Sequence, residues 1–171
     1  MKKNQIFRSA KLSNLKHEDL DILEKNKIFK IIDLRDPIEI KKAPDNLSSN
    51  LLKKYINLPI SANTLSRMAD AYHNSNYQEN ETIYEDVMKV SYQFYLENHL
   101  EVWKKFFTLL LESNGKPIIY HCSAGKDRTG IASYLIQSLC SQKEDLIFDN
   151  YLLSNKLLNH KDAIAEQKYT L

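Results

Sequence analysis

The stretch Pro117-Ile118-Ile119-Tyr120-His121-Cys122-Ser123-Ala124-Gly125-Lys126-Asp127-Arg128-Thr129-Gly130 decides how this chain folds. Its first four residues are a short apolar run, and residues 131–140 are apolar again. A run of strand length followed by one of helix length predicts a loop carried between a buried strand and a buried helix. Such a junction is an anion site. The first amides of a helix have no internal acceptors, and the summed peptide dipoles place roughly half a positive charge at that end.

Cys122 and Arg128 add chemistry to the anion site. Five residues separate them, so a tight loop can turn both toward one ligand. A thiol beside a ring of amides and a guanidinium ionises between about 3.5 and 7.5 instead of about 8.5, which favours thiolate at neutral pH. The planar fork of Arg128 can hold two phosphoryl oxygens at once, a geometry that a lysine ammonium lacks. Gly125 has no Cβ, so the backbone can turn toward the ligand there at positive φ.

Cys122-x5-Arg128, preceded by His121 and followed by Thr129, resembles the signature of the protein tyrosine phosphatase superfamily. The fuller string from His121 through Ala124-Gly125-Lys126-Asp127-Arg128-Thr129-Gly130 resembles one bacterial branch, the atypical tyrosine and phosphoinositide phosphatases. Phe7-Arg8-Ser9, Ile32-Asp33-Leu34-Arg35 with Glu39, and Tyr151-Leu152-Leu153-Ser154-Asn155 are similar to that branch as well, so the likeness runs over most of the chain. It implies an α/β fold with a central, mostly parallel sheet flanked by helices. The implied activity is a metal-independent, cofactor-free phosphomonoester hydrolysis through a phosphocysteine. Substrates in the branch extend over phosphotyrosine, phosphoserine, phosphothreonine and inositol lipids, so the expected partner is a phosphoprotein or a phosphoinositide.

Carried onto this chain, the resemblance makes Cys122 the nucleophile. Arg128 and the amides of Ser123, Ala124, Gly125, Lys126, Asp127 and Arg128 bind the phosphoryl oxygens. His121 orients the loop from below, and Thr129 offers its hydroxyl to the departing sulfur. Asp127 is the expected general acid, with Asp86 as the alternative; its other reading is a carboxylate that stabilises the helix start. Lys126 either meets a second phosphate or is a solvated lysine.

Other readings of the loop fit less well. A Walker-type P-loop needs Gly-x4-Gly-Lys-Ser/Thr, whereas Tyr120 holds the first glycine position and Asp127 follows Lys126. Rhodanese-like sulfurtransferases share a similar Asp-x-Arg with a downstream Glu, but their cysteine loop does not call for an arginine at this spacing. A buried structural cysteine and a phosphate-binding module without turnover are the remaining alternatives.

Composition sets the frame. The 171 residues suit one domain with a single core, expected to be shortened at its C-terminus relative to the branch. Hydrophobic residues make up 43% and charged residues 27%, ordinary for a globular chain. Lys and Arg number 24 against 22 Asp and Glu, and a net charge of +2 gives no field that would attract nucleic acid. Only Cys122 and Cys140 occur, too few for a disulfide framework. The N-terminus has early lysines but no apolar core of a signal peptide, and no apolar run is long enough to span a bilayer. These features predict a cytoplasmic protein, or one exported by a route that reads no such signal.

Along the chain, a helix is expected over 17–25 after Asn14, a strand over 28–34, and a helix begun by Asp36, Pro37 and Glu39 in a capping box. Asp33 and Arg35 are read either as residues of the pocket floor or as a structural ion pair, Arg35 joining Glu39 or a neighbouring carboxylate. Residues 46–50 read as loop and 55–58 as a short strand. Residues 61–70 suggest a helix or lid and 71–80 a polar surface loop. Capping-box patterns begin at Thr82 and at Ser141, and Ile83, Val87, Val90 and Phe94 fall at helical spacing. Val102, Trp103, Phe106, Phe107 and Leu110 form a second amphipathic stretch that ends at Gly115, its aromatics read as core, like His99. Residues 157–167 are expected to be helical.

Overall fold

A computed structural model describes residues 4–61 and 81–157 of the chain. In chain order the elements are β1 (Ile6–Ser9), α1 (His17–Lys25), β2 (Lys30–Asp33), α2 (Pro37–Lys42), α3 (Ser49–Leu52), β3 (Tyr55–Asn57), α4 (Glu81–Glu97), α5 (Leu100–Glu112), β4 (Ile118–His121), α6 (Asp127–Leu139) and α7 (Glu144–Leu157). The expectations for 62–80 and 158–167 lie outside the described residues.

The strands form one parallel sheet in the order β1-β4-β2-β3. Register places Ser9 opposite His121, His121 opposite Asp33, and Asp33 opposite Asn57, so all four strands end in one row. Crossover helices cover both faces, as parallel strands require. Because side chains alternate along a strand, Ile32, Ile118 and Tyr120 face one layer while Ile31 and Ile119 face the other. The first layer packs against Tyr95 of α4, Trp103, Phe106 and Leu109 of α5, and Ile131, Ala132 and Ile136 of α6. The second packs against Leu12, Leu51 and the apolar side of α1.

Phe106 is the centre of the larger layer. Its ring meets Trp103 at 5.9 Å, Phe107 at 5.5 Å and Tyr120 at 5.6 Å, each edge to face. Tyr120 also reaches Ser133 Oγ at 2.6 Å, and that hydroxyl donates to the Thr129 carbonyl at 2.8 Å. The core thereby grips the start of α6. The aromatics of α5 are core, as their spacing suggests.

Several local expectations need correction. Helix α1 keeps its expected bounds, with Lys16 at its cap, the Lys16 amide donating to Asp19 Oδ2 at 2.8 Å. Part of the stretch expected as loop at 46–50 is the start of α3, whose cap is Ser48. Thr82 lies inside α4 and does not begin it. The buried side of that helix runs through Ser91 and Tyr95, while Val90 is 45% exposed. Ser141 takes a left-handed φ of 55° at the end of α6, and Lys143 accepts the first amides of α7 in its place. No helix among the described residues is long and apolar enough to cross a membrane.

Truncating the central ring tests this packing. Phe106→Ala should cost about 3–5 kcal/mol in chemical denaturation. Leu111→Ala, at a side chain 82% exposed, should stay within about 0.5 kcal/mol. Equal losses would contradict the assignment of the core.

Candidate active site

The row of strand ends forms the floor of the site, and β4 leads straight into it. Cys122 follows His121 at the end of β4 and is 2% exposed. Residues 123–126 then loop back to the first turn of α6, which begins at Asp127. Gly125 has φ 69°, and a Cβ there would stand 2.8 Å from the Ser9 carbonyl oxygen and 2.9 Å from the Ala10 nitrogen. Two constraints therefore exclude a side chain: the turn itself, and the end of β1 lying against it. Arg8 clamps the loop from behind, Nε donating to the Gly125 carbonyl at 2.9 Å and Nη2 to the Lys126 carbonyl at 3.2 Å. The Lys11 amide donates to the Ser123 carbonyl at 3.1 Å.

Carbonyls of the loop thus point outward to β1. Among the described residues, none of the six amides from Ser123 to Arg128 finds a backbone or side-chain acceptor. Consecutive amides without acceptors at a helix N-terminus are the backbone arrangement that suits an anion.

Arg128 is held beside them by Glu39 of α2. Nη1 donates to Oε2 at 2.6 Å and Nη2 to Oε1 at 2.7 Å, with the Leu34 and Ile60 carbonyls 3.4 Å from Nη1. Among the described residues no hydrogen bond engages Nε. Nε–H and the second hydrogen of Nη2 form the remaining edge of the fork, a pair of parallel donors suited to two phosphoryl oxygens. Glu39 is further fixed by Ser123 Oγ, which donates to Oε1 at 2.5 Å, and by the Asp36 amide at 2.8 Å from Oε2. Burial alone would raise the Glu39 carboxyl. Hydrogen bonds and charge from Arg128, then Ser123 and Asp36, outweigh it and hold the group at about 2. Burial likewise opposes the Arg128 charge, and Glu39 reverses that balance and pushes the guanidinium above its ordinary range.

A second network lies beneath the loop. Arg35 donates through Nε and Nη2 to Asp33 at 2.9 and 2.7 Å, reaches Asp45 Oδ1 at 2.9 Å and the Ala43 carbonyl at 2.8 Å. This is the structural ion pair of the two readings, with Asp33 and Asp45 as partners and Glu39 committed elsewhere. His121 is fully buried, Nε2 3.1 Å from Asp45 Oδ2 without hydrogen-bond alignment, and Nδ1 3.4 Å from the Cys122 carbonyl. Burial would raise the Asp45 carboxyl, but His121 and Arg35 pull it below its usual range. Asp33, Asp45 and His121 bring ligand atoms within 4.8 Å of one another, yet the Arg35 guanidinium already bridges both carboxylates and compensates their charge.

The remaining expected residues divide between the loop and elsewhere. Thr129 Oγ1 stands 3.9 Å from Cys122 Sγ. Asp127 Oδ1 accepts from the Tyr92 hydroxyl at 2.7 Å, and Tyr92 in turn contacts the Tyr151 hydroxyl. Asp86 is exposed on α4 and pairs with Lys89 at 3.6 Å. Lys126 is half-buried at the loop's edge. His99, expected as plain core, accepts the Ser61 amide at 3.1 Å. The expectations for Glu39 were its cap and a pairing with Arg35. Its bond to the Asp36 amide is present, but its main partner lies 89 residues away. Tyr92 carried no signal of its own in the sequence, and Tyr151 only the quoted resemblance.

The Glu39 titration has a definite sign. Its folded value lies below the ordinary 4.5, so the stabilisation is complete above about 4.5 and is lost as pH falls toward 2. Glu39→Gln should cost up to about 3–5 kcal/mol at neutral pH, the range for removing one partner of a buried pair. The gap to the parent protein should narrow through that acid window. A gap independent of pH in thermal melts would contradict the assignment.

With this geometry in place, comparisons with known proteins become informative. The model of the tyrosine phosphatase family matches residues 1–170. A tyrosine-protein phosphatase of Nostoc commune is 25% identical over 161 residues, covering 94% of this chain and 52% of that relative. A protein of Cupriavidus necator, provisionally named a tyrosine-protein phosphatase, is 48% identical over 42 residues, or 25% of this chain and 15% of that relative. The chain therefore spans about half the length of the first of these relatives. The parallel α/β sheet, the amide-lined loop after β4 and the match over nearly every residue agree, and the chain belongs to the tyrosine phosphatase family.

Proposed function

We propose that the chain hydrolyses phosphate monoesters through a phosphocysteine intermediate, with phosphotyrosine as the first substrate class. The observation that carries this reading is the pairing of six unengaged loop amides with a guanidinium whose free edge Glu39 leaves available, in the loop and helix start that directly follow Cys122. A phosphoryl group held there has donors for its three equatorial oxygens before any bond changes. That charge is met without metal.

In the first step the Cys122 thiolate bonds to phosphorus as the ester P–O bond breaks. The electron pair of that bond goes to the leaving oxygen, which takes a proton from Asp127. Water then attacks the phosphocysteine and gives its proton to the Asp127 carboxylate. The S–P bond breaks with its pair returning to sulfur, and inorganic phosphate departs. Thr129, its Oγ1 3.9 Å from the sulfur, stabilises the returning thiolate on this reading. Splitting the reaction into two steps suits an uncatalysed hydrolysis among the slowest known.

The tyrosine phosphatase family and the names of the relatives support phosphotyrosine. Phosphoserine, phosphothreonine and inositol lipids extend the reading; for lipids, Lys126 at the loop's edge supplies a cation for a second phosphate.

Phosphate release from p-nitrophenyl phosphate is the first test. Cys122→Ser should lower turnover at least about a thousandfold, and Arg128→Lys by about a hundredfold or more because the fork is lost. Vanadate should inhibit and chelator should have no effect. Full activity of Cys122→Ser, or loss of activity on adding chelator, would reject the reading. In a panel of phosphopeptides and inositol lipids, Lys126→Ala should lose activity on lipids alone; equal losses on both would remove the lipid extension.

A further inference from the structure

The site holds two tyrosines to which the reaction above gives no part. Tyr92, half-buried on α4, donates to Asp127 Oδ1 at 2.7 Å, and its oxygen contacts the Tyr151 hydroxyl on α7. The direction of this chain follows from hydrogen counting. A carboxylate oxygen only accepts, so Tyr92 spends its one proton on Oδ1 and accepts from Tyr151. When Asp127 is protonated on Oδ2, Oδ1 is still an acceptor, so the arrangement survives both states of the acid. Burial, then the Asp127 charge, pushes the Tyr92 hydroxyl far above the usual tyrosine range, so it stays a neutral donor. Among the described residues no hydrogen bond engages Oδ2.

Tyr151 is itself built into place. A Cβ on Gly130, in the first turn of α6, would stand 2.6 Å from Tyr151 Cε2 and 3.0 Å from Cδ2. The ring therefore lies directly on the helix backbone, close beside the Arg8 side chain that clamps the loop.

We propose that Tyr92, oriented by Tyr151, is a positioning residue for Asp127: it occupies Oδ1 and reserves Oδ2 for the proton passed to the leaving oxygen. This rests on the phosphoryl-transfer reading of the same site. Asp127 sits at the first position of α6, with rotational freedom about its side chain that the helix alone does not remove. A general acid free to present either oxygen spends part of its time misaligned. Tyr92 removes that freedom from a different helix, without touching the substrate.

Leaving-group dependence tests this directly, because proton donation matters most when the leaving oxygen is basic. Tyr92→Phe should lower kcat/KM, which covers only the first chemical step, about tenfold on phenyl phosphate and less than about twofold on 2,4-dinitrophenyl phosphate. Tyr151→Phe should act in the same direction with a smaller effect. Introduced into Asp127→Asn, Tyr92→Phe should change neither rate by more than about twofold, since the group it positions is gone. Equal slowing of both esters by Tyr92→Phe, or its full effect persisting beside Asp127→Asn, would show a merely structural role and overturn the proposal. Equal loss of kcat/KM on both esters by Asp127→Asn would instead strike the acid assignment, and the tyrosines with it, because kcat/KM reports only the steps through formation of the phosphocysteine. Loss of activity in Cys122→Ser would still stand in that case, keeping the two failures distinct.

Discussion

A carboxylate from α2 and a guanidinium from α6 meet at the centre of the site, and the rest of the arrangement follows from that meeting. Arg128 is buried, and its charge is tolerable only because Glu39 answers it with two short bonds. The pairing is end-on, which spends one edge of the fork and leaves another. It also draws in Ser123 and the Asp36 amide, so the first residue of the loop and the start of α2 are tied to the same carboxylate. Charge balance then has a chemical consequence. On the proposed reading, with Arg128 neutralised as a pair, attraction for a phosphate dianion falls largely on the six amides and the dipole of α6.

The supports around that pair come from every strand end. Arg8 and Lys11 hold the loop carbonyls on one side, and Arg35 with Asp33 and Asp45 fills the space below His121 on the other. The parallel register that aligns Ser9, His121, Asp33 and Asn57 is what brings these groups into one plane. Helices α4, α6 and α7 converge above it through Tyr92, Asp127 and Tyr151. On the proposed reading, the nucleophile lies on the sheet and the acid on the helix, and the loop between them carries the phosphate.

Much of this was legible in the sequence because it is local. The apolar run before Cys122, the six-residue return to Arg128 and the glycine between them specify strand, loop and helix within one stretch. The capping pattern at Asp36 and Glu39 was equally local and correct as far as it went. What sequence could not convey was partnership across the fold. Glu39 was read as a candidate partner of Arg35, and only the fold shows that Arg35 is taken by Asp33 and Asp45 while Glu39 pairs with Arg128. Tyr92 carried no signal of its own, since spacing cannot say that the helix passes over Asp127. Helical spacing gave the period of α4 but not its phase: Phe94 packs against the core, whereas Val90 is exposed.

The most direct measurement is to catch the proposed intermediate. Asp127→Asn should retain its first step on an ester with a good leaving group while losing the base that activates water for the second, so the covalent species should accumulate. Rapid acid quench followed by peptide mass spectrometry should find one phosphoryl group on the sulfur of Cys122. A phosphoryl group on any other residue, or steady turnover with none on the protein at any time, would contradict the account.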